Sequence, residues 1–412
     1  MNFNVNDKIV LRQQPEGPLA PYISQFAQDI ADQGYAGDYV HRHVLLASGF
    51  SHWLMCSGVK LDHIVFNHTC DYLQYRAKHV KPTRGDRANL DHLLKFLRDA
   101  GIIRSEPVTT PALSSIDRCT DAYEQYLRTT RGLADSTILN YVPFIRTFLE
   151  NRFGTSKVTL ALLTAYDVVA FVDQQARQLH KKRAKLLTCA LRSYLKYTVY
   201  SGHVSLDLAA AVPVVPNCSM PSICRAISPE QVEQLLVSID QSTAMGRRDY
   251  AILLLLARLG LRSGEIAFLE LRNINWNAGT LTVKTKGGQC NTFPLPAEVG
   301  KAIAAYLQEG RPSCTSGHVF VRARAPFRGF QYASGVGSIV RHCLQRCSIE
   351  APTLGTHQFR HGLATDMLRH GASLGEIGDV LGHSHPQTTK IYTKVDLEAL
   401  RLLAVRWPGG VQ

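Results

Sequence analysis

Residues 356–395 read THQFRHGLATDMLRHGASLGEIGDVLGHSHPQTTKIYTKV. The stretch holds a His-x-x-Arg pair, His357 and Arg360. His383, in LGHS, follows the arginine by twenty-three residues, and Tyr392 follows His383 by nine. Each residue alone has an ordinary reading: a helical tyrosine usually packs, and an arginine usually lies on a solvated face. Together they suit chemistry on a phosphate. Arginine presents a planar fork of donors to phosphate oxygens. Histidine holds or moves a proton near neutral pH. Tyrosine can serve as a covalent nucleophile. His357 and Arg360 stand three residues apart at the expected start of a helix, so they share a face.

Two upstream positions extend the set. Arg262 lies just past the apolar helix RRDYAILLLLARLGLR, a place where surface arginines are common. Lys286 lies at the tip of an expected β-hairpin, with strands Leu281–Thr285 and Thr292–Leu295 and Gly287 and Gly288 in the turn. Arginine, hairpin lysine, His-x-x-Arg, LGH histidine and tyrosine in this order and context resemble the tyrosine recombinases (phage integrases). The resemblance covers about residues 225–400 strongly and about 115–215 more loosely. Six positions in order make it far more specific than any single motif.

The resemblance implies a role for each position. Arg262 and Arg360 would clamp the two non-bridging oxygens of a scissile phosphate, where charge builds during in-line substitution. His383 would be a third donor on the phosphate. Lys286 would be the general acid that protonates the leaving 5′-oxygen; Lys284, two residues away, is a rival. Relatives usually carry further basic residues after this lysine, whereas Gln289, Cys290 and Asn291 stand here. His357 would accept the tyrosine proton or hold the nucleophile, and His361 is read as structural. Tyr392 would be the nucleophile, giving a 3′-phosphotyrosyl link and a free 5′-hydroxyl. A free phenol has a pKa of about 10, so roughly one molecule in a thousand is phenolate at neutral pH, a handicap of about 4 kcal/mol. A base, a cationic field or both must offset it. The expected chemistry needs no cofactor: no metal and no nucleotide, in keeping with a sequence that carries no Walker loop.

Composition agrees with a nucleic-acid partner. The net charge over 412 residues is +13, which favours a polyanion. The length suggests two to three domains, and a hydrophobic content of 45% is ordinary for a globular chain. Ten cysteines are scattered without a Cys-x-x-Cys or a zinc-finger set, which reads as reduced thiols. The longest apolar run, Tyr250 to Ala257, is far too short to span a bilayer, and the N-terminus has no signal pattern. The expectation is a soluble bacterial protein of the cytoplasm, associated with the nucleoid, with no membrane contact.

Along the chain, residues 1–18 read as an extended lead-in, followed by helices over PYISQFAQDIADQGY, AGDYVHRHVLLASGFSHWLMCSG, about 61–78 and NLDHLLKFLRDAG. EPVTTPALSS (106–115) reads as a linker. The pattern then begins again. The stretch from Gly34 lines up with that from Gly132, 98 residues later, and LLKFLRDAGII (93–103) with YLKYTVYSGHV (194–204), 101 residues later. Such an internal repeat points to two similar helical domains in tandem. Ser136 is the expected cap of the helix that follows it. Lys181, Lys182, Arg183 and Lys185 are candidate contacts to the DNA backbone, against the ordinary reading of a solvated face.

The expected fold is therefore mainly α: tandem helical SAM-like DNA-binding domains, then a mostly helical catalytic domain with a small antiparallel β-sheet. The boundaries are 1–110 for the first copy, 116–212 for the core-binding domain, 213–226 for a Pro-rich linker and 227–412 for the catalytic domain. Ser228-Pro229-Glu230-Gln231 opens the last with a capping box. Tyr306 and Tyr332 are read as packing residues, and HGASLGEIGDVLGHS as two short helices. Leu397, Leu400, Leu403 and Trp407 give the tail helical spacing, and it packs on its own domain or docks in a neighbour.

The function that follows is site-specific DNA recombination by a mobile-element enzyme, through a phosphotyrosyl intermediate and a Holliday junction. Its partners would be double-stranded DNA at specific recombination sites and three further copies in a homo-tetramer, with accessory or companion recombinase proteins alongside. Two readings compete. A type IB topoisomerase would relax supercoils without site dependence. An architectural DNA-binding factor would have lost some of the six residues, and all six are present.

Overall fold

The computed structural model describes residues 3–6, 9–11, 13–103, 114–215, 226–285, 288–382, 386–389 and 391–392. It divides into two compact units, residues 1–105 with 223–412, and residues 106–222. The architecture is mostly helical with a small antiparallel sheet, as the sequence predicts. Among the described residues no helix is long and apolar enough to cross a membrane.

The chain starts with the antiparallel pair β1 (Phe3–Asn6) and β2 (Ile9–Leu11). Helices α1 (Ile23–Asp32), α2 (Gly37–Cys56), α3 (Phe66–Ala77) and α4 (Asp86–Asp99) follow. They close on a core that includes Phe26, Val44, Phe50, Leu94 and Leu97. The helix expected at about 61–78 begins only at Phe66, because Leu61–His63 forms a separate 3-10 turn.

The second unit repeats this order with α5 (Ser115–Thr129), α6 (Asp135–Phe153), α7 (Ala165–Gln178) and α8 (Lys181–Tyr200). α6 starts 98 residues after α2, α7 starts 99 after α3, and α8 ends 101 after α4. Even the 3-10 turn recurs, at Leu160–Leu162. Ser136 is not the cap of α6: the cap position is Ala134, and Ser136 sits inside the first turn. Lys181, Lys182, Arg183 and Lys185 are exposed on the first turns of α8.

In the first unit the chain resumes with α9 (Pro229–Val237), opened by the expected capping box between Ser228 and Gln231. α10 (Ala244–Leu259) is the axis of this region's core, and Ala251 through Leu256 are fully buried. A helix apolar all round must be covered on all sides. α12 (Ala297–Glu309), α14 (His357–Arg369) and their neighbours do so, in one cluster that takes in Val299, Ile303 and Phe359. After α11 (Ser263–Ala267), β3 (Ile274–Asn275), β4 (Thr280–Lys284) and β5 (Cys290–Pro294) form a three-stranded antiparallel sheet. β4 and β5 are the expected hairpin, paired down to Lys284 opposite Cys290.

Helices α12 (Ala297–Glu309), α13 (Ser334–Arg346), α14 (His357–Arg369), α15 (Leu374–Val380) and α16 (Pro386–Thr389) complete the described residues. One helix, α15, stands where two were expected before His383. Tyr306 is buried as a packing residue, but Tyr332, in the loop before α13, is 67% exposed rather than buried. Within this unit, the Gln33 carbonyl accepts from the Phe327 N–H at 3.0 Å. Lys286, His383 and the tail from 393 onward lie outside the described residues.

Candidate active site

The site is built around the start of α14, where a turn at Gly260 fixes two arginines. α10 ends at Leu259, and Gly260 adopts φ +58° as its cap. A Cβ there would stand 2.9 Å from Leu381 Cδ2 and 3.0 Å from Leu363 Cδ2, so both conformation and space call for glycine. The Gly260 carbonyl accepts from Arg360 Nη1 at 2.7 Å, and the Leu381 carbonyl accepts from Nη2. These bonds tie α14 to the turn before α11 and to the end of α15. Arg360 is 5% exposed. Burial first, then the charge of Arg262, lowers its pKa to about 10, so it stays a cation at neutral pH.

Arg262 caps the N-terminal end of α11, and the buried Glu265 holds it twice. One carboxylate oxygen accepts from the Arg262 backbone N–H and the other from its Nη1, each at 2.7 Å. The guanidinium is thereby aimed while most of its donors stay available. Next to it, the hydroxyls of Ser263 and Thr356 meet at 2.6 Å and join the starts of α11 and α14.

His357 opens α14 and keeps an exposed edge. Partial burial of its ring, followed by the charges of Arg360 and Arg262, holds its pKa below the ordinary histidine value. His361 lies one turn further along, and burial lowers its pKa too, ahead of the effects of His357 and Arg360. Both rings are therefore neutral at neutral pH. Tyr392 is 1% exposed and packs with Ala364, Ile377 and Leu381. Its hydroxyl lies 3.1 Å from His361 Nδ1, with the two rings edge to face. Ionised Tyr392 would raise the Arg360 pKa, so a phenolate there and the guanidinium attract each other.

Of the six expected residues, Arg262, His357, Arg360 and Tyr392 come together here, from α10–α11, α14 and the segment after α16. Lys286 and His383 are outside the described residues, but their flanks share one cleft. Thr285, Gln289 and Asn291 line it from the hairpin, and Gly382 lines it from the α15 end. A Cβ on Gly382 would lie 2.2 Å from Asn291 Nδ2, so the hairpin and the LGH turn are in close approach. Lys284, the rival for the lysine role, is exposed at the end of β4.

Sequence reasoning missed Glu265 and gave His361 only a structural part. Both had a readable signal. Glu265 is three residues after Arg262, where a carboxylate meets an N-terminal backbone N–H. His361 is four residues after His357, on the same helical face.

Comparison with known proteins places this site in a family. Residues 225–398 match the phage integrase family, and residues 120–202 match the phage integrase N-terminal SAM-like domain. A Sinorhizobium fredii (strain NBRC 101917 / NGR234) protein named as an integrase/recombinase, y4rA, is 51% identical over 412 residues and is covered end to end, as is this chain. The tyrosine recombinase XerD of Vibrio cholerae is 31% identical over 292 residues, 68% of this chain and 93% of XerD. Among solved structures, XerH recombinase bound to palindromic difH substrate aligns with a TM-score of 0.56 at 17% identity, over 76% of this chain and 93% of that one. A lambda integrase (75–356) dimer bound to a COC′ core site aligns at 0.52 and 16%, over 72% and 98%. At those identities the structural likeness is one of fold. The chain belongs to the phage integrase family. It is a tyrosine recombinase, an enzyme that breaks and rejoins DNA.

Proposed function

We propose that this enzyme performs site-specific strand exchange with Tyr392 as nucleophile, Arg262 and Arg360 as the phosphate clamp and His383 as a further donor. Lys286 protonates the leaving 5′-oxygen. The observation that carries the reading is the convergence of Arg262, Arg360 and Tyr392 on the start of α14, two cations and a phenol in one field. A cationic field favours the phenolate and opposes the charge that develops on the phosphoryl oxygens.

The phosphotyrosyl link conserves the energy of the broken bond, so a 5′-hydroxyl of a second strand reverses the step and produces a Holliday junction. Four protomers on two sites, with the tail docking between neighbours and accessory or companion recombinases alongside, would couple the paired exchanges. Residues 1–110 and 116–212 act as duplicated DNA-binding domains, and Lys181, Lys182, Arg183 and Lys185 contact backbone phosphates. An anion there also offsets cations at the positive end of α8, whose first turn has no acidic residue. DNA as substrate places the enzyme at the nucleoid in the bacterial cytoplasm.

The test uses duplexes from the native element, or a pool of genomic fragments, nicked just beyond the cleavage point so that a short piece escapes. A protein–DNA adduct that survives denaturation is expected with wild type and absent with Tyr392→Phe, both without magnesium. An adduct that persists in the variant removes Tyr392 from the role. Tight binding with no adduct on any DNA returns the architectural reading, and relaxation of supercoiled DNA lacking any site returns the topoisomerase reading.

A further inference from the structure

We infer that His361, not His357, is the proton acceptor for the nucleophile. The inference rests on Tyr392 as nucleophile. The geometry is direct: His361 Nδ1 stands 3.1 Å from the Tyr392 hydroxyl, within reach of proton transfer. The edge-to-face packing of the rings, at 5.7 Å between centroids, fixes that approach. His357, whose ring centre is 6.4 Å from that of His361, sits at the exposed start of α14 beside the arginines, placed for the phosphate. Accepting through Nδ1 requires the Nε2-protonated tautomer of a neutral ring. Partial burial favours the neutral form.

The Tyr392 oxygen–phosphorus bond forms and the phosphorus–O5′ bond breaks. The phenolic proton passes to His361 Nδ1, and the 5′-oxygen takes a proton from the general acid. Arg360, which ionised Tyr392 attracts, steadies the phenolate as the proton leaves. Rejoining runs the same transfer backwards: imidazolium returns the proton to the departing phenolate. The division of labour also accounts for two histidines on one face of α14, one turned to the phosphate and one to the tyrosine.

The experiment follows adduct formation by the full chain against pH on the nicked duplex that yields the adduct, with wild type, His361→Ala, His361→Gln and His357→Ala. Wild type should hold a level rate above the His361 pKa and fall in acid, where Nδ1 is already protonated. His361→Ala should be slower by on the order of 10²–10³-fold at neutral pH. Its rate should climb about tenfold per pH unit toward the phenol pKa of about 10. His361→Gln keeps an acceptor in place but cannot take the proton, so it should show the same climb. Added imidazole should restore His361→Ala and leave His357→Ala unchanged.

A His361→Ala rate within about threefold of wild type, with an unaltered pH profile, overturns the inference. So does imidazole rescue of His357→Ala alone. Should His361→Ala lose its fold, judged by DNA binding, the pH slope of His361→Gln decides. The Tyr392→Phe control separates the two claims: an adduct in that variant defeats the nucleophile itself, whereas its absence leaves His361 to be judged on these profiles.

Discussion

Arg360 is a structural and an electrostatic residue at once. Its two carbonyl partners, Gly260 and Leu381, belong to separate turns, and only a planar fork with donors on both arms reaches both. Lysine in its place has a single ammonium. Arg360→Lys should lower the unfolding free energy by about 1.5–3 kcal/mol, the range for hydrogen bonds to charged groups, as read by denaturant titration. Its adduct formation should fall by on the order of 10²-fold, because a displaced cation no longer meets the phosphoryl oxygen. The arginine and its helix position were legible from His-x-x-Arg. Its two carbonyl acceptors were not, since they lie 100 and 21 residues away in sequence.

At the scale of elements, the site depends on how α11 and α14 begin. The Ser263–Thr356 hydroxyl pair couples two helix starts 93 residues apart, one carrying Arg262 and the other His357 and Arg360. A double-mutant cycle with Ser263→Ala and Thr356→Val should give a coupling of about 0.5–1.5 kcal/mol in unfolding, as expected for one net hydrogen bond. The double variant should slow adduct formation more than it weakens DNA binding, because it loosens the relation between Arg262 and Arg360, the proposed phosphate clamp. Neither residue stands out in sequence: serine and threonine near helix starts usually cap their own helix. By contrast, α10 and the Ser228–Gln231 capping box announce themselves through local rules, an apolar run and a four-residue motif.

For the whole molecule, charge sets the response to salt. A net charge of +13 and an exposed basic turn at the start of α8 predict steep weakening of DNA binding as salt rises. Replacing Lys181 and Lys182 by serine should lower the slope of log affinity against log salt by about one for each lysine, across all DNA sequences alike. An unchanged slope assigns that turn to solvent. Helices recur in the same order in residues 23–99 and 115–200, at a near-constant offset. Yet residues 1–105 cluster with residues 223–412, while residues 106–222 stand as their own unit. The Gln33–Phe327 contact marks that attachment, made by a loop whose sequence gives no hint of a partner nearly 300 residues away.

The sequence by itself determined the helical architecture, the hairpin and the chain's place among the tyrosine recombinases. These are written in local periodicity, in turn residues and in the order of a few reactive side chains. The tertiary structure decided who touches whom: Glu265 on Arg262, the Gly260 and Leu381 carbonyls on Arg360, and His361 on Tyr392. The physical reason is distance along the chain. Two histidines one turn apart on a helix are equivalent in sequence, and only the packing of Tyr392 against Ala364, Ile377 and Leu381 brings its hydroxyl to one of them.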